Sequence, residues 1–213
     1  MAYLRSAGLR ILQCRGGAAD SALVCRFEHP DVRLIIEDVP ARQRLAAIHR
    51  RRFDSVFTHD IGAAKSCSSA VFWQERLFVL LPAAHSLVAK PVLTWSDLAD
   101  MSLLVPVGLD GPPLDLCLLE RIAADGGPAV QTCRANQATV LFKVQLGQGV
   151  TLADESYART VATDSALWRP LGGENNVSSI RGIWLGSNPK RTVLRLVGLA
   201  KNMAVASQAP RPA

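Results

Sequence analysis

The chain has few of the residues from which metal centres and disulfide frameworks are built. Its five cysteines, Cys14, Cys25, Cys67, Cys117 and Cys133, are an odd number, and none stands at CxxC spacing. That pattern argues against a disulfide framework and against a zinc site, and it fits reduced thiols in a cytosolic protein. The four histidines, His29, His49, His59 and His85, are scattered with no metal-ligand spacing. There is no GxSxG, no GxxxxGK[ST], no HExxH and no GxGxxG following a strand, so the common hydrolase, nucleotide and metalloprotease signatures are missing. No catalytic residue and no cofactor is expected. The first residues carry Arg5, Arg10 and Arg15 without a long apolar core, which does not read as a secretory signal, and no segment is long enough to span a bilayer. A cytoplasmic protein is expected, with no membrane partner.

What is present describes an ordinary globular chain. It has 213 residues, of which 49% are apolar and 20% charged, enough to bury a substantial core in one or two domains. The net charge of +6 favours acidic partners, such as nucleic acid or carboxylate ligands, and says nothing about fold. Arg50, Arg51 and Arg52 form the densest cationic run, which reads as a solvated helix end where cations suit the macrodipole.

Element types alternate between His29 and Asp60. Val32–Ile36 is a β-branched run suited to a strand covered on both faces. Pro40 then opens a helix with Ala41, Leu45 and Ile48 at helical spacing, and Phe53–Phe57 returns as a strand. Strand, helix and strand in one compact unit argue a parallel sheet with crossover helices, which binds ligands at the carboxyl ends of its strands. Further strands are expected at Leu9–Cys14, Leu77–Leu81, Leu103–Val107, Val130–Cys133, Val150–Leu152 and Ile180–Leu185. Helices are expected at Ala18–Glu28, Leu114–Ala124, Gln137–Leu146 and Lys190–Ala206, with a helical turn at Trp95–Leu98. Residues 62–70 read as a small-residue loop. Gly108 to Pro113 is the strongest boundary signal, because glycine and proline cluster there between periodic segments.

Five segments, in order, resemble a known family: HPDVRL at 29–34, RQRLAAIHRRRFD at 42–54, ERLFVLLPAAHSL at 75–87, LTWSDLADMSLLV at 93–105 and LGQGVTLAD at 146–154. Together they look like the regulatory, effector-binding domain of LysR-type transcriptional regulators. The resemblance implies an α/β fold of the type 2 periplasmic-binding-protein-like kind, in which two Rossmann-like lobes are joined by two crossover strands and hold a small molecule in a cleft. Mapped on this chain, lobe I is 8–104 plus 187–206, lobe II is 105–186, and 207–213 is a flexible tail. The crossings fall at Leu103–Val107 and Gly182–Ser187. The resemblance also implies a homodimer or tetramer, with DNA reached only through a helix-turn-helix domain that is not visible in this chain. A solute-binding protein of a transport system shares the fold and stands as the alternative.

Ligand chemistry can be argued from residue types. Helix N-termini offer unpaired N–H groups and a positive dipole end, so they attract carboxylates. Gly16 and Gly17 open one helix and let a ligand approach the backbone, or simply make a tight turn. Arg15 could pair bidentately with a carboxylate, or be solvated. Asn136 and Gln137 open another helix; Asn136 serves as its N-cap in either reading. Ser68 and Ser69 belong to a hydroxyl-rich stretch with Ser66, and His59 follows a strand. Asp154 and Glu155 read as the cap of a helix starting at Ser156. The expected ligand is a small-molecule effector, an organic acid.

Overall fold

The computed structural model describes residues 8–12, 33–37, 43–59, 66–107, 116–188 and 190–208. In chain order the elements are β1 (Gly8–Leu12), β2 (Arg33–Glu37), α1 (Arg44–His49), β3 (Ser55–Thr58), β4 (Cys67–Pro82), β5 (Ser102–Pro106), α2 (Leu116–Ala124), β6 (Ala129–Cys133), α3 (Gln137–Gln145), β7 (Thr151–Asp154), α4 (Glu155–Thr160), β8 (Ala166–Pro170), β9 (Val177–Leu185) and α5 (Arg191–Gln208). Short 3-10 turns cover Ser86–Ala89 and Trp95–Leu98. These residues pack as two compact units, one drawn from Met1–Gln74 and Ser179–Ala213, the other from Glu75–Ser178.

In the first unit β1 runs parallel to both β2 and β3, and β9 pairs antiparallel with β3, with Phe57 opposite Gly182. Successive residues of a strand point to opposite faces. Val56 therefore joins Ala47, Ile48, Phe53, Ile183 and Leu185 under α1, while Phe57 joins Phe72, Ile180, Val193, Leu196 and Val197 under α5. The sheet is covered on both faces, which is why its strands read as continuous apolar runs instead of alternating ones. Burying each such side chain contributes on the order of 1.5–3 kcal/mol.

The second unit repeats the scheme. β4 pairs antiparallel with β7 and with β8, β5 pairs parallel with β6, and a parallel bridge from Leu103 to Val150 links β5 to the residue before β7. Leu77, Val79 and Leu81 of β4 pack with Leu103, Val105 and Leu119, whereas Leu80 and Leu104 turn to Val140, Leu141 and Val144 of α3. Helix α3 ends through Gly147, whose φ of 74° is the left-handed conformation that closes a helix.

Most expected elements stand within a residue or two of their reading. Helix 18–28, and the part of the first strand beyond Leu12, lie outside the described residues. Three differences matter. Residues 67–70 are not loop; they begin β4, a 16-residue strand whose apolar core the sequence shows only at Leu77–Leu81. Strand β8 was not expected, because a five-residue segment ending in proline gives little pattern to read. The crossings also differ. The junctions Gln74–Glu75 and Ser178–Ser179 fall inside β4 and β9, so these two strands carry the chain from one unit to the other. Leu103–Val107 is not a crossing: β5 lies wholly in the second unit, paired with β6. The sequence reading had divided the lobes near 104 and 187. Its last expected segment, 207–213, divides too, for Ser207 and Gln208 close α5 and the remainder lies outside the described residues.

Candidate functional site

In the second unit β6 leads through Arg134 and Ala135 to Asn136, which adopts an extended conformation at φ −80°, ψ 169°. Its Oδ1 accepts from the Thr139 backbone N–H at 2.8 Å and from the Thr139 hydroxyl at 3.0 Å. Asn136 is thus a true N-cap, and it leaves the other N–H groups of the first turn to other acceptors. Asn136 and Thr139 are exposed, Gln137 is half-buried, and Arg134, to which the sequence reading gave no role, is exposed just ahead of the cap. Nine residues of aligned peptide dipoles follow.

In the first unit His59 is buried at 5% exposure, immediately after β3. Ser68 and Ser69 are consecutive residues of β4 and so point to opposite faces, Ser68 half-buried and Ser69 exposed. A serine pair on a strand therefore cannot act as the hydroxyl-rich loop that the sequence suggested. Arg15, Gly16 and Gly17 lie outside the described residues. Residue order places His59, Ser68 and Ser69 in one unit and Asn136 and Gln137 in the other.

The electrostatics hold a feature that sequence reading missed. Asp154 occupies the N-cap position of α4, yet its side chain does not cap the helix. Glu75 does so instead, its Oε2 accepting from the Ser156 N–H at 2.9 Å. Asp154 is buried at 4% exposure, and burial, with the neighbouring Glu75 charge, pushes its carboxyl up to about 7 against the opposing pull of a hydrogen bond with Ser178. Glu155 lies beside it and is held below the usual carboxylate range, chiefly by the Arg76 guanidinium, with Arg159 adding to the effect against some burial. No sequence signal pointed to this group, because Glu75 and Asp154 stand 79 positions apart and meet only through the β4–β7 pairing.

Among the described residues no three His, Cys, Asp or Glu side chains gather as a metal site, and no helix is long and apolar enough to cross a membrane. Cys133 is a free, buried thiol, and Cys67, also free, is half-buried with burial raising its pKa.

Two α/β units joined by two strands define a ligand-binding domain of the type 2 periplasmic-binding-protein-like kind. Residues 23–203 match the family described as LysR substrate binding domain, and the chain belongs to that family. It is similar to an uncharacterized HTH-type transcriptional regulator, YnfL, of Escherichia coli strain K12, at 24% identity over 171 residues covering 78% of this chain and 56% of the relative. The chain thus spans little more than half the length of that relative. Solved structures of the same fold include the BenM effector binding domain with its effector benzoate, at TM-score 0.78 and 18% identity over 97% of this chain and 96% of that one. CbnR, a LysR family transcriptional regulator, matches at TM-score 0.79 and 12% identity over 93% and 70%. The reduced OxyR regulatory domain of Pseudomonas aeruginosa matches at 0.75 and 17% over 92% and 98%. At these identities the structural likeness speaks for the fold alone. The family is one of ligand-binding domains of transcription regulators, and the transport-system alternative is not favoured.

Proposed function

We propose that this chain is the sensing part of a LysR-type transcription regulator, that it takes a small organic acid as effector, and that it performs no catalysis. The exposed N-terminus of α3 carries the reading of the ligand's charge. It opens at the carboxyl end of β6 behind the Asn136 cap, with Arg134 just ahead, and such a helix end favours an anion through its remaining N–H groups and its dipole. Benzoate, the effector of the structurally similar BenM domain, is a carboxylate and agrees with that preference. We assign ligand contacts to Arg15, Gly16, Gly17, His59, Ser68 and Ser69 in the first unit, and to Asn136 and Gln137 in the second. Effector binding alters transcription by its differential affinity for two arrangements of the protein, since a ligand that binds both equally shifts nothing. DNA is contacted through a helix-turn-helix domain, and the protein acts as a homodimer or tetramer in the cytoplasm.

The test is thermal denaturation of the 213-residue chain against a panel of small aromatic and aliphatic carboxylates, with the matching amides as controls. A true effector at about a hundred times its Kd stabilises the native state by about 2.7 kcal/mol, and the amide does not. Replacing Gln137 by Ala should weaken that stabilisation without lowering the melting temperature of the free protein. If no carboxylate in the panel raises the melting temperature above its amide, the organic-acid assignment fails.

A further inference from the structure

Glu75 and Ser178 are the first and last residues of the second unit. Glu75 lies in β4 and Ser178 in β9, the two strands by which the chain enters and leaves. Both meet the same side chain: Asp154, the last residue of β7, hydrogen-bonds Ser178 and lies within electrostatic reach of Glu75. Asp154 is set there by the pairing of Leu77 with Asp154, which brings the end of β7 alongside the start of the unit.

The charged groups around this point make a closed set. From β4 come Glu75 and Arg76, and from α4 come Glu155 and Arg159. β5 brings no ionisable side chain, and α3 brings only Lys143. Arg76 donates to Glu155 through Nε and Nη2, both at 3.1 Å, and Arg159 donates to Glu155 through Nε at 3.0 Å. Both guanidinium groups are thereby directed at Glu155. Glu75 holds the helix N-terminus that an aspartate at the N-cap would ordinarily hold. With Asp154 neutral, the two cations balance the two glutamates. With Asp154 ionised, one uncompensated negative charge is buried beside Glu75, and burying an unbalanced charge is costly.

We propose that Asp154 is a proton-operated clasp on the two ends of the second unit, closed on Glu75 and Ser178 while its carboxyl is neutral and loosened when the carboxyl ionises. The proximity of Glu75 and the burial of Asp154 place that change near neutrality. The domain thus carries a response to pH in its own strand junctions. This is independent of the effector reading and stands or falls whether or not any carboxylate binds.

The experiment is an NMR titration of the full 213-residue chain, following the Asp154 side-chain carboxyl carbon and the backbone amides of Glu75 and Ser178 from about pH 5 to about pH 9. The proposal expects the carboxyl to titrate at about 7, and both amides to move with the same midpoint. In Glu75→Gln the carboxyl midpoint should fall, and in Asp154→Asn the amide movements should vanish. A carboxyl midpoint below about 5, in the ordinary aspartate range, overturns the proposal. So does a midpoint near neutrality that leaves the two amides unmoved. The wild-type titration decides the matter even if either variant fails to fold.

Discussion

The ring of Phe72 in β4 occupies the space that a side chain at position 182 of β9 would need, so Gly182 and Phe72 fit only because one of them has no Cβ. Gly182 is also the residue opposite Phe57 across the β3–β9 pair, and the Phe57 and Phe72 rings meet edge to face with centroids 5.3 Å apart. Trp184 stacks on the other partner, 6.1 Å from Phe72 with planes 15° apart. Glycine in the middle of a strand is ordinarily a weakness; here it marks the close approach of an aromatic side chain.

Gly182→Ala should accordingly destabilise the first unit by about 1–3 kcal/mol, the usual cost of overpacking a filled core. Urea denaturation measures it. Combining Gly182→Ala with Phe72→Leu should cost less than the sum of the two single changes, because the smaller side chain makes room. Strict additivity would mean that the two positions do not share that space.

Asp54 is buried at 4% exposure and accepts from Lys190 Nζ at 2.9 Å and Asn188 Nδ2 at 3.3 Å, which ties the residue before β3 to the approach of α5. Asp54→Ala should lower stability by about 1–3 kcal/mol, since two donors lose a buried acceptor. Lys190→Met should cost less, because about half of the lysine side chain is already in water. Equal losses in chemical denaturation would argue against this asymmetry.

The Asn136 cap separates stability from binding. Asn136→Ala removes the acceptor of the Thr139 N–H and should cost about 0.5–2 kcal/mol, whereas Asn136→Ser or Asn136→Asp should cost much less. On the anion reading, Asn136→Asp additionally weakens carboxylate binding by placing a negative charge at the site. An aspartate variant that binds the acid as well as wild type would remove α3 from the ligand site.

Stability should be greatest on the acid side of neutrality. Glu155 and Asp97 have carboxyls held below their ordinary values of 4.5 and 3.8, by Arg76 first and by Lys90 first respectively. Groups with depressed folded values contribute stability above their ordinary pKa and lose it as the pH falls through the folded value. Asp154 acts oppositely. Its folded value of about 7 lies above the ordinary 3.8, so its contribution is complete below 3.8 and is lost as the pH rises to about 7. The melting temperature should therefore decline on both sides of a maximum at about pH 5, with Arg76→Gln flattening the acid limb and Asp154→Asn the other. A curve rising steadily from acid to about pH 8 would contradict the signs assigned here.

Much of the fold was legible because its cause is local. The stripe Val140, Leu141, Val144 announced α3, and Val193, Leu196, Val197 announced α5, since helical period and burial go together. The strand at Leu103–Val105 and its neighbours were visible as apolar runs for a similar reason: a strand covered on both faces has no polar side to show. The candidate ligand residues were legible only as types. Asn136 proved to be the cap that its sequence position implied, but Ser68 and Ser69 turned out to lie on a strand that their small side chains gave no reason to expect. β-propensity measures fit to neighbours, and residues 67–70 acquire theirs from a pairing that only the folded chain supplies.

The sequence by itself determined the family, the α/β class and the identity of nearly every buried run, because periodicity and apolar content are properties of short segments. Tertiary structure alone decided that β4 and β9, not β5, carry the chain between the units, that Gly182 must lack a side chain, and that Asp154 comes to rest against Glu75 and Ser178. Each of these depends on which residues meet across tens of positions of chain, and that is settled by strand register, which no local pattern encodes.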